Sequence, residues 1–227
     1  MRKGIQFDTA WARRPFAMAV RELILMGILG PLIEFYTRPR VYGLRLFDGL
    51  KPPVVFAANH SSHLDTPSIL RSLPKKWRRK TATVAAADYF YANRIIGSLV
   101  TLSFGAVPIE RKGGMSKTTS NRLDRLIDER WNILLYPEGT RSRSGAPAEL
   151  KTGAAYIAVA NSVPIVPIYL TGTHEAMPVG ASWPIKHPVH LRFGDPLYPA
   201  PGEDHRALTE RLKAELMRLR LASVSDS

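Results

Sequence analysis

Apolar positions along this chain fall into short continuous runs separated by stretches with helical spacing. Residues 53–58, Pro-Val-Val-Phe-Ala-Ala, are apolar throughout and β-branched at the centre. A run of that kind reads as a strand buried on both faces. Comparable runs predict strands over 81–85, 106–109, 132–136, 164–170 and 189–193. Pro108 places the third of these strands at a sheet edge or a strand end. Helical spacing predicts helices over 67–73, 95–104, 116–131, 148–161 and 203–221. In the first, Thr66 is the expected cap and Pro67 sits in the opening turn. In the last, Leu208, Leu212, Leu216 and Leu219 form one stripe. Strand and helix alternate without internal repeats, which predicts an α/β fold: a mostly parallel or mixed central sheet flanked by helices.

The amino-terminal part has a different texture. An apolar stretch over 16–36 is interrupted only by Arg21, Glu22 and Glu34. Its longest uncharged run, 23–33, is short of the roughly twenty residues that a spanning helix needs. Gly27, Gly30 and Pro31 argue against one straight helix. The string Glu34-Phe35-Tyr36-Thr37 offers no small-residue site for signal cleavage. Two readings stay open here: one helix, or two around Pro31, lying in a lipid interface with basic flanks, and a core helix that begins the domain.

Composition narrows the partners. Thirty-two Lys and Arg against nineteen Asp and Glu give the 227 residues a formal net charge of +13. That surplus suits nucleic acid, a membrane surface or a phosphorylated substrate. No helix-turn-helix, RNA-binding aromatic pattern or zinc ligand set supports nucleic acid, so no nucleic-acid partner is expected. Cysteine is absent. Disulfides, Cys-based zinc sites and thiol nucleophiles are thereby excluded, and any acyl transfer must use an oxygen nucleophile or direct attack.

Candidate chemistry sits just after predicted strands, where open α/β sheets bind ligands. The segment Asn59-His60-Ser61-Ser62-His63-Leu64-Asp65 follows the first strand. On a continuous helix His60 and Asp65 would point about 140° apart, whereas a strand-to-helix turn lets the carboxylate fold back onto the imidazole. Such a pair makes a general base, the carboxylate setting the tautomer and stabilising the imidazolium. The same residue types also allow a polar cap, or a metal site built on His60, His63 and Asp65. A second segment, Tyr136-Pro137-Glu138-Gly139-Thr140-Arg141-Ser142, follows another strand. Gly139 permits close backbone approach, turn amides make an anion cradle, and Arg141 can hold a phosphate in a fork. A solvated strand-ending turn is the plainer alternative. A third segment puts Arg111 just beyond the strand that ends near Ile109.

Together these segments resemble the glycerolipid acyltransferases, and most closely the lysophosphatidic acid acyltransferases. That family carries four blocks in fixed order. Asn59, His60, Ser62 and Asp65 match the first, the His-x4-Asp block, and Ile109 and Arg111 match the second, with Pro108 where an aromatic is common. Residues 136–142 match the third with Tyr136 replacing Phe, and the Val163-Pro164-Ile165-Val166-Pro167-Ile168 string matches the fourth.

The resemblance implies a transferase moving a fatty acyl group to a glycerol hydroxyl of lysophosphatidic acid, giving phosphatidic acid. The donor would be acyl-CoA or acyl-carrier protein as co-substrate, with no cofactor and no metal. His60 would be the general base and Asp65 its orienting partner, with no acyl-enzyme. Arg111, Glu138, Gly139, Thr140 and Arg141 would bind the phosphorylated glycerolipid acceptor. Glycerol 3-phosphate, another lysophospholipid or an amino-acid lipid stays open as acceptor. In a different class, so does a metallohydrolase. The resemblance also favours the interface reading of the amino terminus: residues 1–50 as a membrane-associating helical segment on an anionic lipid surface, and 51–227 as the catalytic domain. The short chain suits a bacterial enzyme at the cytoplasmic face of the cell membrane. A basic cluster around Trp77 (Arg71, Lys75, Lys76, Arg78, Arg79, Lys80) would suit lipid headgroups, an acidic carrier protein, the phosphates of coenzyme A, or solvent alone.

Overall fold

In the computed structural model, which describes residues 7–109, 116–144 and 148–224, the amino-terminal apolar stretch is one continuous helix, Pro15–Thr37. Helix α1 (Pro15–Leu23) passes through a π-helical stretch (Ile24–Leu29) into α2 (Gly30–Thr37). Of the two forms left open, one helix or two around Pro31, the structure has one. Pro31 lies in the first turn of α2, and the π turns before it move the hydrogen bonding out of the register that proline disrupts. Gly30 has its own reason: a Cβ there would stand 3.0 Å from the Leu25 carbonyl oxygen and 3.5 Å from Arg71 Nε. By length and composition this helix could cross a membrane.

The chain continues through β1 (Arg40–Tyr42), α3 (Leu46–Gly49), β2 (Val55–Ala58), α4 (Asp65–Ser72), α5 (Lys75–Arg79) and β3 (Thr81–Ala86). Next come α6 (Ala87–Phe90), α7 (Arg94–Phe104), β4 (Val107–Ile109), α8 (Lys117–Asp128) and β5 (Asn132–Leu135). The last elements are α9 (Gly153–Asn161), β6 (Ile165–Thr171), α10 (Thr173–Ala176), β7 (His190–Phe193) and α11 (His205–Val224). The strands form one mixed sheet in the order β1-β7-β6-β2-β5-β3-β4. All neighbours are parallel except β6 and β7. Pro108 lies on β4, an edge strand, as its missing N–H requires. β1 falls within the first fifty residues, so the sheet draws on that segment.

Both faces of the central strands are covered, which is why their apolar runs are unbroken. Val55 and Ala57 pack with Leu123, Ile157, Leu208 and Leu212 of α8, α9 and α11. Phe56 and Ala58 face the other way, toward Ile69 and Leu70 of α4, Trp77 of α5 and Leu25 of the amino-terminal helix.

Several expectations need correction. Helix α4 starts at Asp65, and Thr66 caps nothing. The helix expected from 148 begins only at Gly153, and the one expected to reach 131 ends at Asp128, with Arg130 at φ 64° just beyond it. Trp77 is buried, its ring 5.1 Å from that of Phe47, so it meets no lipid. Two of its basic neighbours are engaged by carboxylates of the amino-terminal helix: Arg78 pairs with Glu22, and Arg71 Nη2 with Glu34 Oε2 at 2.6 Å. The cluster therefore clamps the amino-terminal helix to α4 and α5. Buried Arg21 adds a third tie, donating from Nε to the Leu102 carbonyl (3.0 Å) and from Nη2 to that of Ala12 (2.7 Å).

Candidate active site

The site grows from the carboxyl end of β2. Asn59 extends the ladder with its side chain, Nδ2 donating to Leu170 O (2.9 Å) and Oδ1 accepting from Leu170 N (2.8 Å). The backbone then leaves the sheet and turns into α4. Asp65, fully buried in the first turn of α4, folds back on that turn. Its Oδ2 accepts from Ser61 N (2.8 Å) and Ser62 N (2.9 Å) and lies 2.7 Å from His60 Nδ1. A carboxylate at that distance accepts, so Nδ1 carries a proton, and in the neutral ring the lone pair then lies on Nε2. The fold-back that the strand-to-helix turn suggested is therefore the geometry found. Among the described residues, no Ser or Thr hydroxyl hydrogen-bonds the His60 ring.

The turn after β5 forms the other wall. Tyr136 stacks on the His60 imidazole, with centroids 3.9 Å apart and planes 16° from parallel. Its hydroxyl is 2.7 Å from Thr66 Oγ1, which accounts for Thr66. Burial, with Asp65 close by, holds that hydroxyl well above the ordinary tyrosine range, so it stays protonated. Glu138 is turned into the protein: Oε1 accepts from His60 N (3.0 Å) and Oε2 from Ala148 N (3.2 Å). Burial raises this carboxyl above its usual range, against the pull of those two N–H groups. Ser142 N donates to His60 O at 2.8 Å, closing the two loops on each other.

Gly139 adopts φ +74°, and a Cβ on it would lie 2.7 Å from Lys151 Nζ. Glycine thus admits an ammonium group over the turn; no feature of the 136–142 string announces Lys151. Thr140 is exposed. Arg141 reaches out over the Tyr89 ring, 5.6 Å from its centroid, and makes no ion pair among the described residues. Arg111 lies outside the described residues. His63 stands apart from the pair, near the rings of Tyr89 and Phe90. Among the described residues no three His, Asp or Glu side chains converge as metal ligands.

Two buried serines carry this loop outward. Ser61 Oγ is 3.0 Å from Thr173 Oγ1 on α10, and Ser62 Oγ donates to Met177 O at 2.7 Å.

A family model described as Acyltransferase matches residues 33–171, more than half of the chain. A chloroplastic 1-acyl-sn-glycerol-3-phosphate acyltransferase of Brassica napus is 31% identical over 169 residues, covering 74% of this chain and 47% of the relative. The human 1-acyl-sn-glycerol-3-phosphate acyltransferase beta is 30% identical over 152 residues, covering 63% of this chain and 51% of that protein. This chain spans about half the length of the curated relatives it matches. The crystal structure of the 1-acyl-sn-glycerophosphate acyltransferase of Thermotoga maritima superposes with a TM-score of 0.66 at 20% identity, over 95% of this chain and 84% of that one. The likeness in fold covers 95% of this chain and so extends well beyond the four blocks.

Proposed function

This chain belongs to the acyltransferase family, and on that premise we propose that it transfers a fatty acyl group to the free hydroxyl of lysophosphatidic acid, yielding phosphatidic acid. The observation that carries the reading is the 2.7 Å contact of His60 Nδ1 with Asp65 at the mouth of the sheet, which leaves Nε2 available to a substrate. Nε2 removes the acceptor hydroxyl's proton as that oxygen attacks the thioester carbonyl of acyl-CoA or acyl-carrier protein. The tetrahedral adduct expels the thiolate, which takes the proton from the imidazolium. Ester and free thiol result, and no acyl-enzyme forms. Asp65 stabilises the imidazolium in between. Arg141 and Arg111 meet the acceptor's phosphate, the turn at Gly139 and Thr140 lies along the glycerol, and Glu138 holds the His60 backbone.

The acceptor and the acyl products are lipids, and the protein presents an apolar surface to match. Phe16, Leu23, Ile28 and Phe35 are exposed on the amino-terminal helix, and Ile95, Ile96 and Leu99 on α7. The opposite side of the amino-terminal helix is packed on protein, with Ala17, Arg21, Leu25, Ile33 and Thr37 buried. One-sided exposure supports a helix lying in the lipid interface rather than surrounded by lipid.

The test is transfer of labelled acyl groups, from acyl-CoA and from acyl-carrier protein in parallel, to a panel of acceptors by the purified full chain. His60→Ala should cost about 10²–10⁴-fold in kcat, the share of general-base catalysis. Undiminished transfer by that variant would falsify the mechanism.

A further inference from the structure

Between α10 and β7 the chain runs through residues 177–188, a stretch so far without a role. It is held at both ends. At its start the Met177 carbonyl accepts from Ser62 Oγ at 2.7 Å, in the same loop as His60. At its end His187 N donates to Tyr36 O, and Val189 N to Thr37 O, each at 2.9 Å. In between, Ile185 N donates to Ala176 O at 2.8 Å and Pro184 is buried. With Pro184 tucked in, its neighbours point out: Trp183 is 64% exposed and Ile185 63%. An apolar pair turned to water on a pinned backbone calls for something to cover it.

The surroundings identify the cover. Trp183 Nε1 donates to the Tyr36 hydroxyl at 2.7 Å, and Lys186 Nζ lies over the Phe35 ring, 4.4 Å from its centroid. The apolar tip is therefore continuous with the exposed end of α2. Lys186, Arg38 and Arg40, all exposed, fringe it. Apolar side chains and an amphipathic indole inside a cationic fringe match an anionic lipid surface, with hydrocarbon beneath and phosphates around.

We infer that residues 177–188 form a second lipid-contacting element: Trp183 and Ile185 enter the acyl region, and Lys186 meets headgroup phosphate. The inference rests on the membrane reading of the amino-terminal helix and adds to it. Through Ser62, the root of this loop ties the His60 turn to the lipid surface that holds the acceptor.

Vesicles of phosphatidylcholine and phosphatidylglycerol with brominated acyl chains quench any tryptophan that enters them. Of the four tryptophans, Trp77 and Trp131 are buried. We expect quenching of the full chain that largely disappears in Trp183→Phe. We also expect about tenfold weaker vesicle binding by the Trp183→Ser/Ile185→Ser double variant, with its thermal melt unchanged. Quenching that persists undiminished in Trp183→Phe overturns the inference. The remaining quenching then belongs to half-buried Trp11, just ahead of the amino-terminal helix, and shows that this helix still binds lipid and that only the loop has failed. Absence of any vesicle binding by the full chain overturns both readings. Self-association without lipid binding, relieved by the double serine variant, assigns the patch to a second copy of the chain and likewise overturns the inference.

Discussion

Asp65 Oδ2 receives the His60 ring and the amides of Ser61 and Ser62, so one oxygen both sets the imidazole and folds the turn that presents it. Tyr136 divides its own work between ring and hydroxyl. Tyr136→Phe keeps the stack on His60 and loses only the bond to Thr66. It should lower unfolding stability by about 0.5–1.5 kcal/mol in urea titration while kcat is retained; a collapse of kcat would mean that the hydroxyl serves the reaction. Glu138 offers a pH test. Its carboxyl is raised in the folded chain, so folding favours its protonated form. The stability this contributes is present below the unfolded value and is lost as pH rises through the raised one. The melting-temperature advantage of the parent chain over Glu138→Gln should accordingly shrink as pH climbs out of the acid range. An advantage that stays level or widens would contradict the assignment.

Helix to helix, two ion pairs hold the amino-terminal helix and differ in surroundings. Glu22–Arg78 is largely withdrawn from water, and Arg78 also donates to the carbonyls of Arg71 and Leu73. Glu34–Arg71 is much more open, with Glu34 54% exposed. Double-mutant cycles should give a coupling above about 1 kcal/mol for the first pair and about 0.2–1 kcal/mol for the second. Equal couplings would say that burial makes no difference here. These pairs also mark where the sequence stops being readable. β2, β5 and β6 were legible because a strand covered on both faces shows an unbroken apolar run. β1 and α10, with three and four residues, are too short to show any period and exist through their neighbours. Glu22 and Arg78 are 56 positions apart, so a cluster that looks solvated in sequence becomes a clamp only in space. The site divides in the same way. His60 and Asp65 lie within one turn and could be paired from spacing, whereas the backbone partners of Glu138 and the approach of Lys151 to Gly139 depend on loops meeting across the sheet.

Over the whole molecule, the loops that build the site leave β6, β2 and β5, three parallel neighbours at the centre of the sheet. The strand register alone therefore brings residues 59–65, 136–142 and α10 to one edge. The amino-terminal helix is as much a part of this body as any strand. Leu25 and Ile33 are buried, Arg21 is enclosed, and Arg78 has its carboxylate partner on that helix. A fragment cut after Thr37 would uncover the Phe56 face of the sheet and strand the Arg78 guanidinium. Trimming a greasy end is a common way to obtain a soluble enzyme. Here it should yield a protein that binds hydrophobic dyes and precipitates, and preparative work should keep the helix and supply detergent instead.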